Sequence, residues 1–474
     1  MAVDVPALRT KEGYDPSQFY DEALESDGAP RGEYRGVLDA IERAGAADLA
    51  RRVQTAVGRM GATFGSGSEA DAFPVDPVPR LISAREWVHL ETGLSQRARA
   101  LNAFLADVYA DREIVRAGVI PADAISSADH FEPAMQGVEV PAGHAPIIGF
   151  DLVRGNDGQF VVLEDNLRTP SGLAYASALR HAVAAEFDPG SQLDRLSVDP
   201  CFGVIGNVLS TAPGLRPDAN VVLLSDGPEN TAWYEHRMLA RRLGIGLVVP
   251  EKLRIRDGRL CMSLPSGRVR EIDVVYRRTD EDRLHDRHGR PTWLAEMLLE
   301  PLRAGHLTVV NAPGSGVADD KLVHAYVEEM IRFYLGEQPA IESVRTYDLT
   351  KPELLTRVIG RLSGLVVKPR TGQGGEGVFI GCNESAAARA KMATALRAAP
   401  GRYVAQDTVR LSRHPTVVGD ALEPRHVDLR VFAVASPSGA QVIPSPLTRV
   451  ALRSESMIVN SSQGGGAKDT WILR

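Results

Sequence analysis

The residues best placed to do chemistry lie in two short stretches. In VVLEDNLRTPSG (161–172), Glu164 and Asn166 stand two positions apart, so on a strand both point to one face. Asp151 lies on the preceding apolar run, and the turn between the runs can carry it alongside. Two carboxylates and an amide oxygen are hard ligands suited to Mg²⁺; a solvated strand end is the alternative. Asp165 points to the opposite face and reads as a bystander. In LVVKPRTGQGGEGVFIG (365–381), Gly372, Gly374 and Gly377 satisfy G-x-G-x-x-G, with Gly375 beside them. A dinucleotide fingerprint would need a helix after the loop, and here a strand-like VFIG follows. The better reading is a β-turn-β flap whose backbone N–H groups close over phosphates, with glycine permitting the close approach. Lys368, just before the loop, can reach a phosphate oxygen as a point charge.

Other chemistries find little support. A Walker A loop is absent, because Ala467 precedes Lys468 and Asp469 follows it. No kinase HRD and DFG set, G-x-S-x-G or paired Cys/His motif occurs. His285 and His288 form His-x-x-His without a third ligand nearby, and a solvated polar loop is the better reading. His426-x-Asp428 shares a strand face with Arg430 and either orients it or forms a structural pair. Glu229, Asn230 and Glu235 are candidates for an amine pocket, with core or surface roles as the alternative.

These residues need elements to hold them. Apolar spacing predicts helix over 34–60, and GATFGSGSEADAFPVDPVP (61–79) reads as a loop. Ser83 can cap a helical stretch over 83–118 in which Leu90, Leu94, Ala98, Leu101, Leu105 and Val108 recur at helical steps. IIGFDLV (147–153) and QFVVLEDN (159–166), parted by RGNDG, predict a strand, a turn and a strand. VVLLS (221–225), a loop and helix over 225–244, GLVVP (246–250), EIDVVYRR (271–278) and LTVVNAP (307–313) predict a parallel sheet covered on both faces. A helix is expected from near Asp319 past Ile331. From 362 onward antiparallel strands, one helix over 384–398 and a glycine-rich tail are expected.

Composition narrows the class. The chain has 474 residues, 44% hydrophobic and 24% charged, which describes a globular protein of several folding units. Its net charge of −7 argues against a general nucleic-acid partner. No run approaches the ~18 apolar residues of a membrane span, and the polar N-terminus lacks a signal-peptide core, so the expected location is the cytoplasm. Cys201, Cys261 and Cys382 are too dispersed for a zinc site or disulfide framework.

Taken together, EDNLRTPSG, DGPENTAWYEH, VVYRRTDED, NAPGSGVADDK, VVKPRTGQGGEG, YVAQDTV, HVDLRVF and SSQGGGAKDTW, in this order, resemble the circularly permuted ATP-grasp family, akin to glutathionylspermidine synthetase-like ligases. The resemblance runs from about 80 to 474. It implies an α/β (α+β composite) fold, a permuted ATP-grasp with a Rossmann-like pre-ATP-grasp subdomain. Four regions are expected: an N-terminal extension (1–80), a helical segment with the metal-ligand strands (81–200), the Rossmann-like substrate subdomain (201–315), and the ATP-binding lid with the rest of the core (316–474).

By position, the resemblance implies ATP and Mg²⁺ as cofactors. Asp151, Glu164 and Asn166 match metal ligands; Lys368 and Gly372 to Gly377 match the phosphate lysine and flap. Gln406 and Asp407 match the hinge that meets adenine and ribose, and Asp320-Lys321 the pair opening a nucleotide-binding helix. Arg430, Arg449 and Asn460 resemble groups facing phosphate and metal, while Arg277 and Arg278 would face an acidic substrate or acyl-phosphate. Related ligases often carry Arg two residues before the first metal Asp, where this sequence has Gly149, so Arg168, Arg430 or Arg449 would have to serve. The implied activity is amide- or peptide-forming ligation of a carboxylate and an amine, each a small molecule or peptide, through an acyl-phosphate. A phosphotransferase or a catalytically degenerate nucleotide-binding regulator is the alternative.

Overall fold

The computed structural model describes residues 14–67, 70–187, 193–212, 215–216, 218–279, 283–286, 289–372, 376–453, 456, 459 and 464–474. At its centre is a mixed sheet in the order Val75–Ile82, Gly466–Ile472, Gly439–Val450, Ala421–Ser436, Ile147–Arg154, Phe160–Asn166, with Arg413–Val418 also paired to Ala421–Ser436. The predicted strand-turn-strand is the antiparallel hairpin at one edge. Alternation along these strands sorts side chains between two faces. Ile148, Phe150, Leu152, Leu429, Val431 and Ala433 pack under the long helix Ala84–Val108. That helix starts where Ser83 closes a reciprocal capping box with Glu86.

The opposite face is divided. At one end Ile147, Phe432, Val434 and Ile443 pack against Leu223, Tyr276 and Val310 of a second sheet. That sheet is parallel throughout, in the order Thr308–Val310, Val274–Arg277, Val221–Leu224, Gly246–Val248. Further along, helices Ala46–Arg59 and Leu173–Glu186 cover Leu422, Leu447 and Trp471. Between the two covers the face carries charges and stays open. A third, antiparallel sheet (Thr346–Asp348, Tyr403–Asp407, Leu365–Pro369, Phe379–Ile380) overhangs this opening with its own small core.

Some expectations from the sequence need correction. The segment expected as loop over 61–79 is partly strand: Val75–Ile82 pairs in parallel with the expected tail, itself the strand Gly466–Ile472. Pro77 and Pro79 obscured it. They are tolerated because the strand is at a sheet edge, and the register slips between Asp76 and Arg80. The helix expected past Ile331 is broken into Lys321–His324, Val327–Met330 and a wide turn, Ile331–Leu335. Asp320 is extended and caps Leu322 N–H, so the first turn is a separate start. The loop and helix expected over 225–244 are present as such, with the helix at Trp233–Leu243 and, before it, Asn230 Oδ1 accepting from Ala232 N.

Candidate active site

The open stretch of the central sheet carries a row of cross-strand charges. Asp428 faces Arg449, Arg430 faces Asp151, and Asp151 faces Glu164 in register, with Asn166 beside Gly149. Arg430 Nε and Nη2 each donate to Asp151 at 2.7 Å, a bidentate fork. Arg449 Nη2 approaches the same carboxylate at 3.0 Å and donates to Asp428 from Nε at 2.9 Å. Burial pushes the Asp151 carboxyl up, but Arg430 and Arg449 together hold it well below the usual carboxylate range. Asp428, which shares Arg449, is raised by burial.

Across the opening, Lys368 Nζ donates to Glu164 at 3.1 Å. Burial would raise Glu164; Lys368 and Lys321 more than offset it, and the net shift is downward. Lys321 Nζ donates to Gly372 O at 2.8 Å, tying the flap's first glycine to the opening. Asp320, before Lys321, receives a bidentate pair from Arg370. Arg168 pairs with Asp319 at 3.0 Å. Of these, Asp151, Glu164, Asn166, Arg168, Asp319, Lys321, Gly372, Arg430 and Arg449 line a cleft of about 670 Å³.

The other end of the cleft has a different character. Phe64, Phe73 and Tyr175 form an aromatic wall, with Phe73 and Tyr175 centroids 4.6 Å apart. Arg278 and His236 also line the cleft. The loop Pro170-Ser171-Gly172 between the two ends is clamped: Arg278 donates to Pro170 O, Arg430 to Ser171 O, and Gly172 N donates to Glu235.

The cleft thus gathers Asp151, Glu164, Asn166, Arg168, Lys321, Gly372, Arg430 and Arg449, with Lys368 reaching in through Glu164. Gly374, Gly375, Asn460 and His288 lie outside the described residues. Gly377 has φ +69°, and a Cβ there would meet Pro369 Cγ at 2.9 Å. Arg277 is not in the cleft: it donates to Asn311 O and Thr279 O from a buried position, and its neighbour Arg278 takes the cleft. Gln406 and Asp407 sit beside the Lys368 strand; Gln406 Oε1 is buried without a partner among the described residues, and Asp407 pairs with Arg361. Asp165 is turned to a buried pair with Arg97 and to His324. Asp428 holds Arg449, while Arg430 is held by Asp151 and His426 meets Ser412 O. Glu235 caps the Leu173–Glu186 helix, leaving Asn230 of that trio in the cleft. His285 pairs with Glu132 at 3.2 Å. The aromatic wall and His236 are the lining groups that motif reading missed. His236 closes the stretch DGPENTAWYEH, but nothing in its spacing separates it from an ordinary helical residue.

A central sheet with a flanking parallel sheet, an overhanging antiparallel sheet and a charged cleft among them defines an ATP-grasp architecture. The chain belongs to the circularly permuted ATP-grasp type 2 family, whose profile matches residues 79–451. An uncharacterized protein of Synechocystis is 40% identical over 98% of both chains. A Frankia alni protein named "Putative glutamate--cysteine ligase 2-3" is 42% identical over 98% of this chain, and a Frankia casuarinae counterpart is 42% identical over all of it. This chain spans only 54% and 56% of those two Frankia proteins. A glutathione synthetase-like effector from Globodera pallida, solved in apo form, shares the fold with a TM-score of 0.59 at 10% identity, covering 90% of this chain and 97% of its own.

Proposed function

We propose that the protein is an ATP- and Mg²⁺-dependent ligase that joins a small carboxylic acid to an amine through an acyl-phosphate. The observation that carries this reading is one cleft lined by Glu164, Asn166, Lys321, Arg430 and Arg449, with Lys368 donating to Glu164. Among the described residues, neither amide atom of Asn166 has a hydrogen-bond partner, and Nδ2 is buried. Asp151 is already committed to two guanidinium groups, which leaves as oxygen donors Asn166 Oδ1 and Glu164, whose Oε1 accepts from Lys368. That set fits Mg²⁺, which is commonly held by one or two carboxylates plus substrate phosphates. When bound, the ion would neutralise charge on the transferring phosphoryl group.

The chain's own residues would do the rest. Lys368 and the flap hold the phosphates, and Gln406, whose carbonyl has no partner among the described residues, meets the base. Arg430 and Arg449, pinned by Asp151 and Asp428, present fixed positive charge where the acyl-phosphate's charge develops. The names of the Frankia relatives point to amino-acid substrates.

Incubation with ATP, Mg²⁺ and pooled acids should release ADP, and hydroxylamine should trap the activated acid as a hydroxamate. Lys368→Ala and Glu164→Ala should each lower turnover by about 10²–10³-fold, the scale for losing one charge-stabilising group. Unchanged nucleotide binding and turnover in both variants would overturn the assignment.

A further inference from the structure

His236 lines the substrate end of the cleft, and its hydrogen bonds fix where its proton sits. Its Nδ1 is 2.7 Å from Ser225 Oγ. Ser225 is fully buried, and its hydroxyl already accepts from Gly227 N at 3.1 Å. Among the described residues, the hydroxyl proton has one hydrogen-bond acceptor, His236 Nδ1. That ring nitrogen must therefore accept, and the ring proton belongs on Nε2. Nε2 bonds no protein atom among the described residues and opens on the cleft.

We propose that His236 is a substrate-contacting residue that donates its Nε2–H to a non-reacting carbonyl or carboxylate oxygen of the acid substrate, and that it is not the base for the incoming amine. Neither nitrogen has a free lone pair: Nδ1 is occupied by Ser225, and Nε2 carries the proton. Protonating the ring would bury a second cation near Arg278; burial first, then Arg278, pushes the imidazole down to about 2. Glu235, the adjacent acid, does not relieve this, because its carboxylate is turned to the Gly172 and Ala174 amides. The aromatic wall of Phe64, Phe73 and Tyr175 limits the occupant's size and gives it an apolar flank. The class that fits is a compact acid with an oxygen-bearing far end, an amino acid or short dicarboxylic acid. The contact rests on the ligase reading; the proton position does not.

Two measurements test it separately. In protein labelled with ¹⁵N-histidine, His236, assigned by its loss in His236→Gln, should remain the neutral Nε2–H tautomer from pH 5 to 9. An Nδ1–H tautomer, or titration between pH 5 and 8, overturns the proposal. In the hydroxamate assay, with the amino acids and C3–C6 dicarboxylic acids as probes, His236→Phe should raise KM for the best acid by about 10- to 100-fold. KM for ATP should hold, and thermal shift with Mg²⁺ and a non-hydrolysable ATP analogue should match wild type. His236→Gln, which restores an N–H near Nε2, should recover most of the loss. If both variants lose kcat equally with KM for the acid unchanged, the residue is a base and the proposal fails. If wild type traps no hydroxamate from any probe, the ligase reading fails and the substrate contact with it, whatever the tautomer.

Discussion

Asp151 stands between Arg430 and Arg449, and the balance of those charges governs its titration. With its carboxyl held below the usual range, it contributes stability that is present above the unfolded value of ~3.9 and lost as pH falls through the folded value. Arg430→Ala removes the bidentate partner and leaves Arg449 shared between two buried carboxylates. Breaking a buried pair in this way costs about 3–5 kcal/mol. The expected result is a lower urea midpoint, with the acid-unfolding midpoint moved to higher pH. An unchanged acid limb would show that Arg430 does not set the ionisation of Asp151.

At the scale of elements, the hairpin carrying Asp151 and Glu164 depends on Gly149 as much as on its carboxylates. A Cβ at Gly149 would lie 2.8 Å from Pro170 Cβ, which explains why a larger residue has no place there. Gly149→Ala should therefore push on the clamped Pro170–Gly172 loop, costing about 1–3 kcal/mol and raising KM for the acid more than for ATP. A neutral melting temperature together with unchanged KM values would contradict this. Glu22 makes a second docking point, joining the N-terminal segment to the sheet through Arg80 at 2.6 Å and Arg154 at 3.5 Å. Burial would raise its carboxyl, but Arg154 and Arg80 bring it down to about 2. Its contribution is thus complete above the unfolded value of ~4.3 and fades as pH drops toward 2. Glu22→Gln should flatten the pH dependence of stability across that window. Much of this was readable from the sequence. The Asp151–Glu164 hairpin, the parallel sheet and the Lys368 flap each announce themselves by local periodicity and turn residues. Val75–Ile82 did not, because its strand character comes from a partner almost 400 residues away and its prolines signal the reverse. Within the site, Glu164, Asn166 and Lys368 stand in recognisable motifs. Arg278 stands in the stretch VVYRRTDED, whereas His236 owes its place in the cleft to the packing of its helix, which spacing alone does not show.

For the whole molecule, the family profile and the folding unit do not coincide. The profile begins at residue 79, yet Leu38, Ile41, Leu49, Val53 and Phe73 are buried in a core shared with Leu179, Leu447 and Trp471. A chain starting at 79 should expose that apolar face and lose two of the three aromatic residues of the cleft wall. It is expected to aggregate or to lose its cooperative thermal transition in calorimetry; a fragment melting like the full chain would refute this. The net charge of −7 is likewise a poor guide to the cleft, where cations and carboxylates face one another across neighbouring strands. This pairing joins side chains very distant in the chain, with Asp151 and Arg430 separated by 279 positions. On a ribosome the hairpin with Asp151 and Glu164 emerges long before the strands that neutralise and flank it. Its Ile147–Arg154 edge must wait unpaired while some hundreds of residues are translated, a setting in which strand edges invite mispairing. The charged carboxylates on its face then serve the nascent chain as well as the finished cleft, since they discourage that edge from joining a neighbouring polypeptide before Ala421–Ser436 arrives.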